Sequence, residues 1–290
     1  MKQHICLFDM DGTLTEPREA IDQKMIETLQ TLSGYSEVGI VTGSDLDYVK
    51  QQCEKLFLHP ETNLNRFLLF PCNGTKSYEW SFDLFDWEEK TNANMIDNLG
   101  QEKYNRILQS LYSYQLMIVL AFPQLSYTGT FFQYRGSMLN WCPVGRSAGH
   151  EERKSWVDAD HEYKIRDYWI DEIKKLFVKE EAELTVAMGG STSFDIYPDG
   201  WDKTYVMNHL DQYSTVYFVG DRCQEGGNDK ALYDLLVDDE LAFETHNTEQ
   251  TIEIISKIIG NIKNKVEKDD DENTKLFWLI LRGIKEVAEK

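Results

Sequence analysis

Four consecutive apolar residues, Ile5-Cys6-Leu7-Phe8, run directly into Asp9-Met10-Asp11-Gly12-Thr13. A short apolar run with no polar alternation reads as a strand buried on both faces, and a carboxylate pair followed by glycine marks where it opens into a turn. Such a strand persists only in a sheet covered on both sides. The feature therefore points to an α/β architecture in which polar residues gather beyond the carboxyl ends of parallel strands.

The chain keeps that rhythm at first. Met25, Ile26, Leu29 and Leu32 form a helical stripe over 22–32, residues 38–41 give a second buried strand ending in Thr42-Gly43-Ser44-Asp45, and a helix is expected over 45–56. A third strand over 67–70 is stopped by Pro71 and Asn73-Gly74. From about Glu88 the pattern turns to α+β: a helix over 101–119, a hairpin of 130–134 and 138–141 around Arg135-Gly136-Ser137, a charged helix or helix pair over 151–180, and a strand over 184–188. After Pro198-Asp199-Gly200 the α/β pattern resumes, with a helix over 203–210, a strand over 216–219, Gly220-Asp221, a helix over 229–236 and a strand near 241–243. The expected organisation is a Rossmann-like α/β core of residues 1–87 and 198–262, split by an inserted α+β domain of residues 88–197. Residues 263–290 read as an acidic linker, Glu267 to Glu272, and a helix with Leu276, Leu279, Ile280, Ile284 and Val287 on one face.

Composition narrows the partners. A chain of 290 residues with 41% hydrophobic and 12% aromatic content can fill two cores. A net charge of −20 repels nucleic acid and anionic membrane, so an anionic substrate must meet a local group of basic residues. The five cysteines are odd in number, scattered and never spaced C-x-x-C, which suggests neither disulfides nor zinc and fits a reducing compartment. The six histidines form no metal-spaced cluster. No apolar stretch is long enough for a signal-peptide core or a membrane span, and a cytoplasmic protein is expected.

Four polar clusters fall at expected strand ends or helix starts: Asp9 to Thr13, Ser44 with Asp45, Lys203, and Asp221 with Asn228 and Asp229. A lone Asp-x-Asp would serve equally well as a helix cap or solvated turn. The ordered set, with the Gly220 to Asp229 string, resembles the four motifs of the haloacid dehalogenase superfamily across most of residues 5–262. That resemblance fits the chemistry. A carboxylate such as Asp9 can attack phosphorus and carry the phosphoryl group as an acyl phosphate, dividing one difficult transfer into two easier ones. Mg²⁺, a hard cation with oxygen ligands, would bring the two anions together, held by side-chain oxygens of Asp9 and Asp221 and, as the resemblance implies, the backbone carbonyl of Asp11. Ser44 and Lys203 would grip the phosphoryl oxygens, Asp11 would act as general acid and base, and Asn228 and Asp229 would shape the metal loop.

A longer match narrows the resemblance. Asp9 to Arg18, Arg135 to Asn140, Pro143-Val144-Gly145-Arg146-Ser147, Glu151-Glu152-Arg153 and Ser193 to Lys203 are similar to the eukaryotic-type α-phosphomannomutases. By that resemblance Arg135, Arg146 and Arg153 in the inserted domain hold the distal, non-reacting phosphate, with Arg18 reaching from the core. Asn140, Ser193 and Asp195 take sugar hydroxyls. The implied reaction interconverts hexose 6-phosphate and hexose 1-phosphate, mannose first and glucose second, primed by a hexose 1,6-bisphosphate as activator and supplying mannose 1-phosphate for GDP-mannose synthesis. A homodimer through the inserted cap is implied as well. The competing expectation is a sugar-phosphate phosphatase of the same superfamily, which needs the same four clusters but no distal arginines. The chain departs from the family pattern at Cys72, where Glu is usual, at Gly189-Gly190-Ser191-Thr192, where Gly-Gly-Gln-Ile is usual, and in a longer segment over 73–129.

Overall fold

A computed structural model describes residues 4–264; the acidic linker and helix expected toward the C-terminus lie outside the described residues. In chain order the elements begin with β1 (His4–Phe8), α1 (Gln23–Ser33), β2 (Glu37–Val41), α2 (Leu46–Gln52), α3 (Glu54–Phe57), β3 (Phe67–Phe70), β4 (Lys76–Ser81) and β5 (Asp86–Asn92). They continue with α4 (Met95–Leu99), α5 (Gln101–Ala121), β6 (Phe132–Tyr134), β7 (Leu139–Trp141), α6 (His150–Tyr163), α7 (Ile165–Lys179), β8 (Leu184–Gly189) and β9 (Ser193–Pro198). A 3₁₀ helix (Lys203–His209), β10 (Thr215–Gly220), α8 (Lys230–Leu236), β11 (Ala242–Glu244) and a helix α9 over 248–264 complete the described chain.

The larger sheet has the order β11-β10-β1-β2-β3-β4-β5. Its first five strands are parallel, and β4 and β5 extend it as an antiparallel hairpin. β1 shows why its apolar run is unbroken: Cys6 and Phe8 face a core with Met25, Leu29, Ile255 and Ile258, whereas Ile5 and Leu7 face a second core with Val206, Leu232 and Leu236. Alternate side chains of a strand leave on opposite faces, so a strand sandwiched between helices must be apolar throughout. All six residues of β10 are buried for the same reason.

The smaller sheet, β6-β7-β9-β8, is antiparallel. Its packed face centres on Trp141, which stacks on Phe194 with ring centroids 4.8 Å apart, and joins Trp156, Ile107 and Ile173 from the helices above. The indole N–H of Trp141 donates to Gln115 Oε1 at 2.7 Å, so this large ring is buried without an unpaired donor. The charged stretch after Gly149 is a helix pair, broken where Lys164 takes a left-handed conformation at φ 55°. The turn between β6 and β7 rests on the larger sheet: Thr75 Oγ1 donates to Ser137 Oγ, and Met95 N donates to Gly136 O at 2.7 Å.

Several elements differ from expectation. The β4–β5 hairpin was not anticipated, and β5 runs across Glu88, where a change of pattern was placed. The helix expected over 45–56 is interrupted at Cys53, whose ψ of 10° ends α2. Residues 203–209 wind as a 3₁₀ helix, its start capped by Asp202 accepting from Thr204 N at 2.8 Å. The stretch 193–198 is a full strand, its alternation masked by the polar Ser193 and Asp195.

Gly145, in the turn before Arg146, has φ +95°, and a Cβ there would lie 2.5 Å from Gly129 O and 2.7 Å from Gly129 N. Both the dihedral and the facing backbone exclude a side chain. Gly145→Ala should therefore lower unfolding free energy by about 2–4 kcal/mol, read from the urea midpoint at unchanged m-value. A loss under about 1 kcal/mol would contradict this close approach.

Candidate functional site

The carboxyl ends of β1 and β10 lie side by side, with Phe8 opposite Val219 in parallel register. Asp9 follows the first strand, and its N–H donates to Val219 O at 2.9 Å. Asp221 follows the second. Between them Gly12 is essential, because a Cβ at that position would lie 2.4 Å from Asp221 Oδ2, and its φ of +84° suits glycine. The sharp turn seen in the sequence thus lets the Asp9 loop close directly onto the Asp221 carboxylate.

Asp9, Asp221 and Asp229 each present an oxygen within one group spanning 4.8 Å. Lys203, wholly buried at the start of the 3₁₀ helix, donates to both Asp9 and Asp229. Asp229 is the more fully satisfied carboxylate, since its second oxygen accepts from Arg222 N at 3.0 Å and so ties off the loop from Gly220. Asp221 Oδ1 is buried with no hydrogen-bond partner, as are Thr13 Oγ1 and Asn228 Oδ1 close by in sequence to the two aspartates.

Burial raises Asp9 well above the ordinary carboxylate range, against the pull of Lys203 and with the push of Asp229 and Asp221. Burial likewise lifts Asp221 to about 6, helped by Asp229 and opposed by Lys203. Burial alone would lower Lys203, but the two carboxylates outweigh it and hold the ammonium charged. With every group ionised, three carboxylates and one ammonium leave two negative charges. A divalent cation with hard oxygen preference would compensate that excess and give Asp221 Oδ1 its missing partner. The donor set thus fits a magnesium-type ion.

Asp11 lies beside this group but faces elsewhere. Its Oδ1 accepts from Tyr48 Oη and from Arg18 N, each at 3.0 Å, so the carboxylate is held at the rim of the turn, partly exposed. Tyr48 was not anticipated from sequence; its place in the first turns of a helix that starts at the end of β2 is the signal that could have found it. Burial first, then Asp11, raises the phenol and keeps it a donor. Ser44 sits in the adjacent loop, which is fixed by Ser44 N donating to Thr42 Oγ1 at 3.2 Å and Cys72 N donating to Ser44 O at 2.8 Å.

The smaller sheet supplies a second constellation. Asn140 and Asp195 are directly paired across β7 and β9, and Asn140 Nδ2 donates to Asp195 Oδ1 at 2.7 Å and Ser193 Oγ at 3.1 Å. Arg146 Nη1 donates to Asn140 Oδ1 at 3.0 Å. Arg135 reaches across to the larger sheet, donating from Nη1 to Gly43 O at 2.7 Å while its Nε–H is buried without a partner. Arg153 donates to Ala148 O, Thr192 Oγ1 and Arg146 O. Among the described residues none of Arg18, Arg135, Arg146 and Arg153 forms an ion pair with a carboxylate. Burial lowers Arg146 and Arg153; Arg135 lowers Arg146 further, against the pull of Asp45 and Asp195, and Arg18 lowers Arg153 further. Mutual repulsion of this kind is relieved by a bound anion.

Cys72 is buried in the loop between these constellations, with its thiol 3.9 Å from Arg135 O; burial raises its pKa.

Comparison with known proteins places the chain in a family. A model of the eukaryotic phosphomannomutase family matches residues 25–261. A phosphomannomutase of Schizosaccharomyces pombe is 35% identical over 260 residues, spanning 88% of this chain and 94% of its own. That of Saccharomyces cerevisiae is 33% identical with the same coverages, and that of Drosophila melanogaster is 34% identical over 79% of this chain and 85% of its own. Among solved structures, a C-terminally truncated IMP-nucleotidase of Plasmodium falciparum superposes with TM-score 0.59 at 14% identity, over 90% of this chain and 72% of that one. This last likeness speaks for the fold alone. The extent of the family match and the coverage of these relatives establish that the chain belongs to the eukaryotic phosphomannomutase family.

Proposed function

We propose that the chain interconverts mannose 6-phosphate and mannose 1-phosphate by way of a phosphoryl group carried on Asp9. The observation that carries this reading is the set of arginines, Arg18, Arg135, Arg146 and Arg153, that form no ion pair with a carboxylate among the described residues, on a chain of net charge −20. Guanidiniums left unpaired on so acidic a protein fit a phosphate dianion, and a phosphatase acting only at Asp9 would have no use for a second anion site.

Asp9 attacks the phosphorus of a hexose 1,6-bisphosphate, which primes the enzyme and leaves a hexose monophosphate. In each turnover the phosphoryl group passes from Asp9 to the free hydroxyl of the substrate, whose proton goes to Asp11. The resulting bisphosphate reorients, its other phosphate returns to Asp9, and Asp11 gives the proton back to the departing sugar oxygen. Tyr48 holds the Asp11 carboxylate at the mouth of the site, and Lys203 with Ser44 grips the phosphoryl oxygens. Asn140, Ser193 and Asp195 bind sugar hydroxyls while the arginines hold the distal phosphate. Asp9, Asp221 and the carbonyl of Asp11 would hold Mg²⁺, with Asn228 and Asp229 shaping the loop; when bound, the ion would neutralise charge on the transferring group. The segment from α4 to β9 then acts as a cap that excludes water, the competing acceptor. The exposed stripe Tyr112, Leu116 and Leu120 on α5 of this cap is assigned to a homodimer, and five free, buried thiols suit a cytoplasmic enzyme.

The decisive assay supplies mannose 1-phosphate and Mg²⁺ with and without a hexose 1,6-bisphosphate. Mannose 6-phosphate should form much faster than inorganic phosphate, and the bisphosphate should shorten any lag. Chelation with EDTA should stop turnover, and added Mg²⁺ should restore it. Asp9→Asn should retain the fold by circular dichroism and less than about a tenth of the wild-type rate. Arg153→Ala should reduce mutase flux more than hydrolysis of the primed enzyme, because it removes a contact to the sugar phosphate and none to the acyl phosphate. Inorganic phosphate as main product, indifferent to bisphosphate and to Arg153, would instead make the chain a phosphatase.

A further inference from the structure

Arg153 has five N–H donors, and three of them are already engaged within its own domain. Nε donates to Ala148 O at 3.0 Å, Nη1 to Thr192 Oγ1 at 2.8 Å and Nη2 to Arg146 O at 3.2 Å. Two remain, one on each terminal nitrogen, which is the number a bidentate phosphate accepts. Of the three acceptors two are backbone carbonyls. Thr192 alone is a side chain.

The threonine is held as a structural part of the domain. It is 3% exposed, and its oxygen lies 3.6 Å from Cys142 Sγ, so the hydroxyl can exchange a hydrogen bond with the thiol while accepting from Arg153. The turn that presents it is pinned on both sides. Arg166, paired with Asp160 at 2.7 Å in the interior, donates from Nη1 to Gly190 O at 2.9 Å, and Ser193 Oγ donates to Gly189 O. Asp160 and Arg153 both belong to α6. One helix thus carries the guanidinium and the carboxylate that anchors Arg166, and the β8–β9 turn closes the circuit between them through Thr192.

We infer that Thr192 is a positioning residue for substrate binding: its hydroxyl fixes the plane of the Arg153 guanidinium so that the two free N–H groups meet the distal phosphate of the hexose phosphate as a fork. The inference rests on the proposed reading of Arg153 as a distal-phosphate ligand. Without the hydroxyl one N–H of Nη1 loses its partner and the guanidinium turns about its last torsions, which weakens ground-state and transition-state binding alike and so raises KM with little change in kcat.

The test is a double-mutant cycle on mannose 1-phosphate turnover by the full chain. Thr192→Val, which keeps the shape and removes the hydroxyl, should raise KM about 10-fold with kcat within about 3-fold, while Thr192→Ser stays within about 2-fold of wild type. In an Arg153→Ala background, Thr192→Val should add less than about 2-fold, because the group it positions is gone. If the Val variant does not fold, Thr192→Ala is read in the same cycle. An unchanged KM, a Ser variant as impaired as Val, or equal effects of Thr192→Val with and without Arg153 would overturn the inference while leaving the mutase reading intact. Should wild type release inorganic phosphate instead of mannose 6-phosphate, the mutase reading fails, and the cycle is read on the KM for that release. Non-additivity there would still support Thr192 as the partner that orients Arg153, and additivity would overturn it.

Discussion

Everything at the carboxyl edge of the larger sheet depends on one buried cation between two carboxylates. Lys203 is wholly enclosed and touches Asp9 and Asp229 at once. Bringing three carboxylates within a few ångströms in an interior of low dielectric is strongly unfavourable, and burial does raise both Asp9 and Asp221. The lysine offsets part of that repulsion and leaves part standing. The remainder is an excess of negative charge that a bound cation would offset, and such binding would then stabilise the fold through the same charges.

The topology makes this arrangement possible. Parallel strands place the ends of β1 and β10 together although their residues are more than two hundred apart in sequence, and Lys203 arrives from the 3₁₀ helix that precedes β10. The opposite charge is delivered by a different sheet. Arg135, Arg146 and Arg153 are carried by the β6–β7 turn, the loop after β7 and the start of α6, so the negative and positive groups belong to separately packed cores. Separation matters physically: on one rigid element the arginines would pair with the aspartates and neither set could serve a ligand.

Much of this was legible in sequence, and the losses have identifiable causes. Doubly buried strands announce themselves by unbroken apolar runs, which is why β1, β2, β3 and β10 were readable. The β4–β5 hairpin was not, because KSYEWS and DWEEKTN carry charged residues and continue the sheet to its edge strand, β5, where burial is incomplete. In β9 the alternation is carried by Phe194, Ile196 and Pro198, but the intervening Ser193 and Asp195 drew attention as candidate ligands and hid the strand. The candidate site shows the same division. Asp9, Asp221, Asp229 and Lys203 gather as one cluster, and Asn140, Ser193 and Asp195 as another, since motifs at strand ends are brought together by topology alone. Tyr48 and Thr192 escaped because each acts through a hydrogen bond to a residue distant in sequence, and no spacing rule encodes such a contact.

The two clusters meet at a narrow seam, and its chemistry explains how the seam could both hold and release. Arg135 Nη1 donates to Gly43 O, Gln133 Nε2 lies 3.4 Å from Asp45 Oδ2, and Thr75 meets Ser137. These are single hydrogen bonds, contributing a net of about 0.5–1.5 kcal/mol between neutral groups and about 1.5–3 kcal/mol where Arg135 or Asp45 brings a charge, with no large apolar surface among the named contacts. Arg135 is the most informative of them, because its Nε–H is buried and unpaired while Nη1 is occupied by a neutral carbonyl. A charged acceptor would satisfy that guanidinium better than Gly43 O does, since it adds the attraction of opposite charges and can accept two N–H groups as a fork. If the proposed phosphate site is right, a phosphate entering the seam would take over the arginine from the carbonyl without breaking either core.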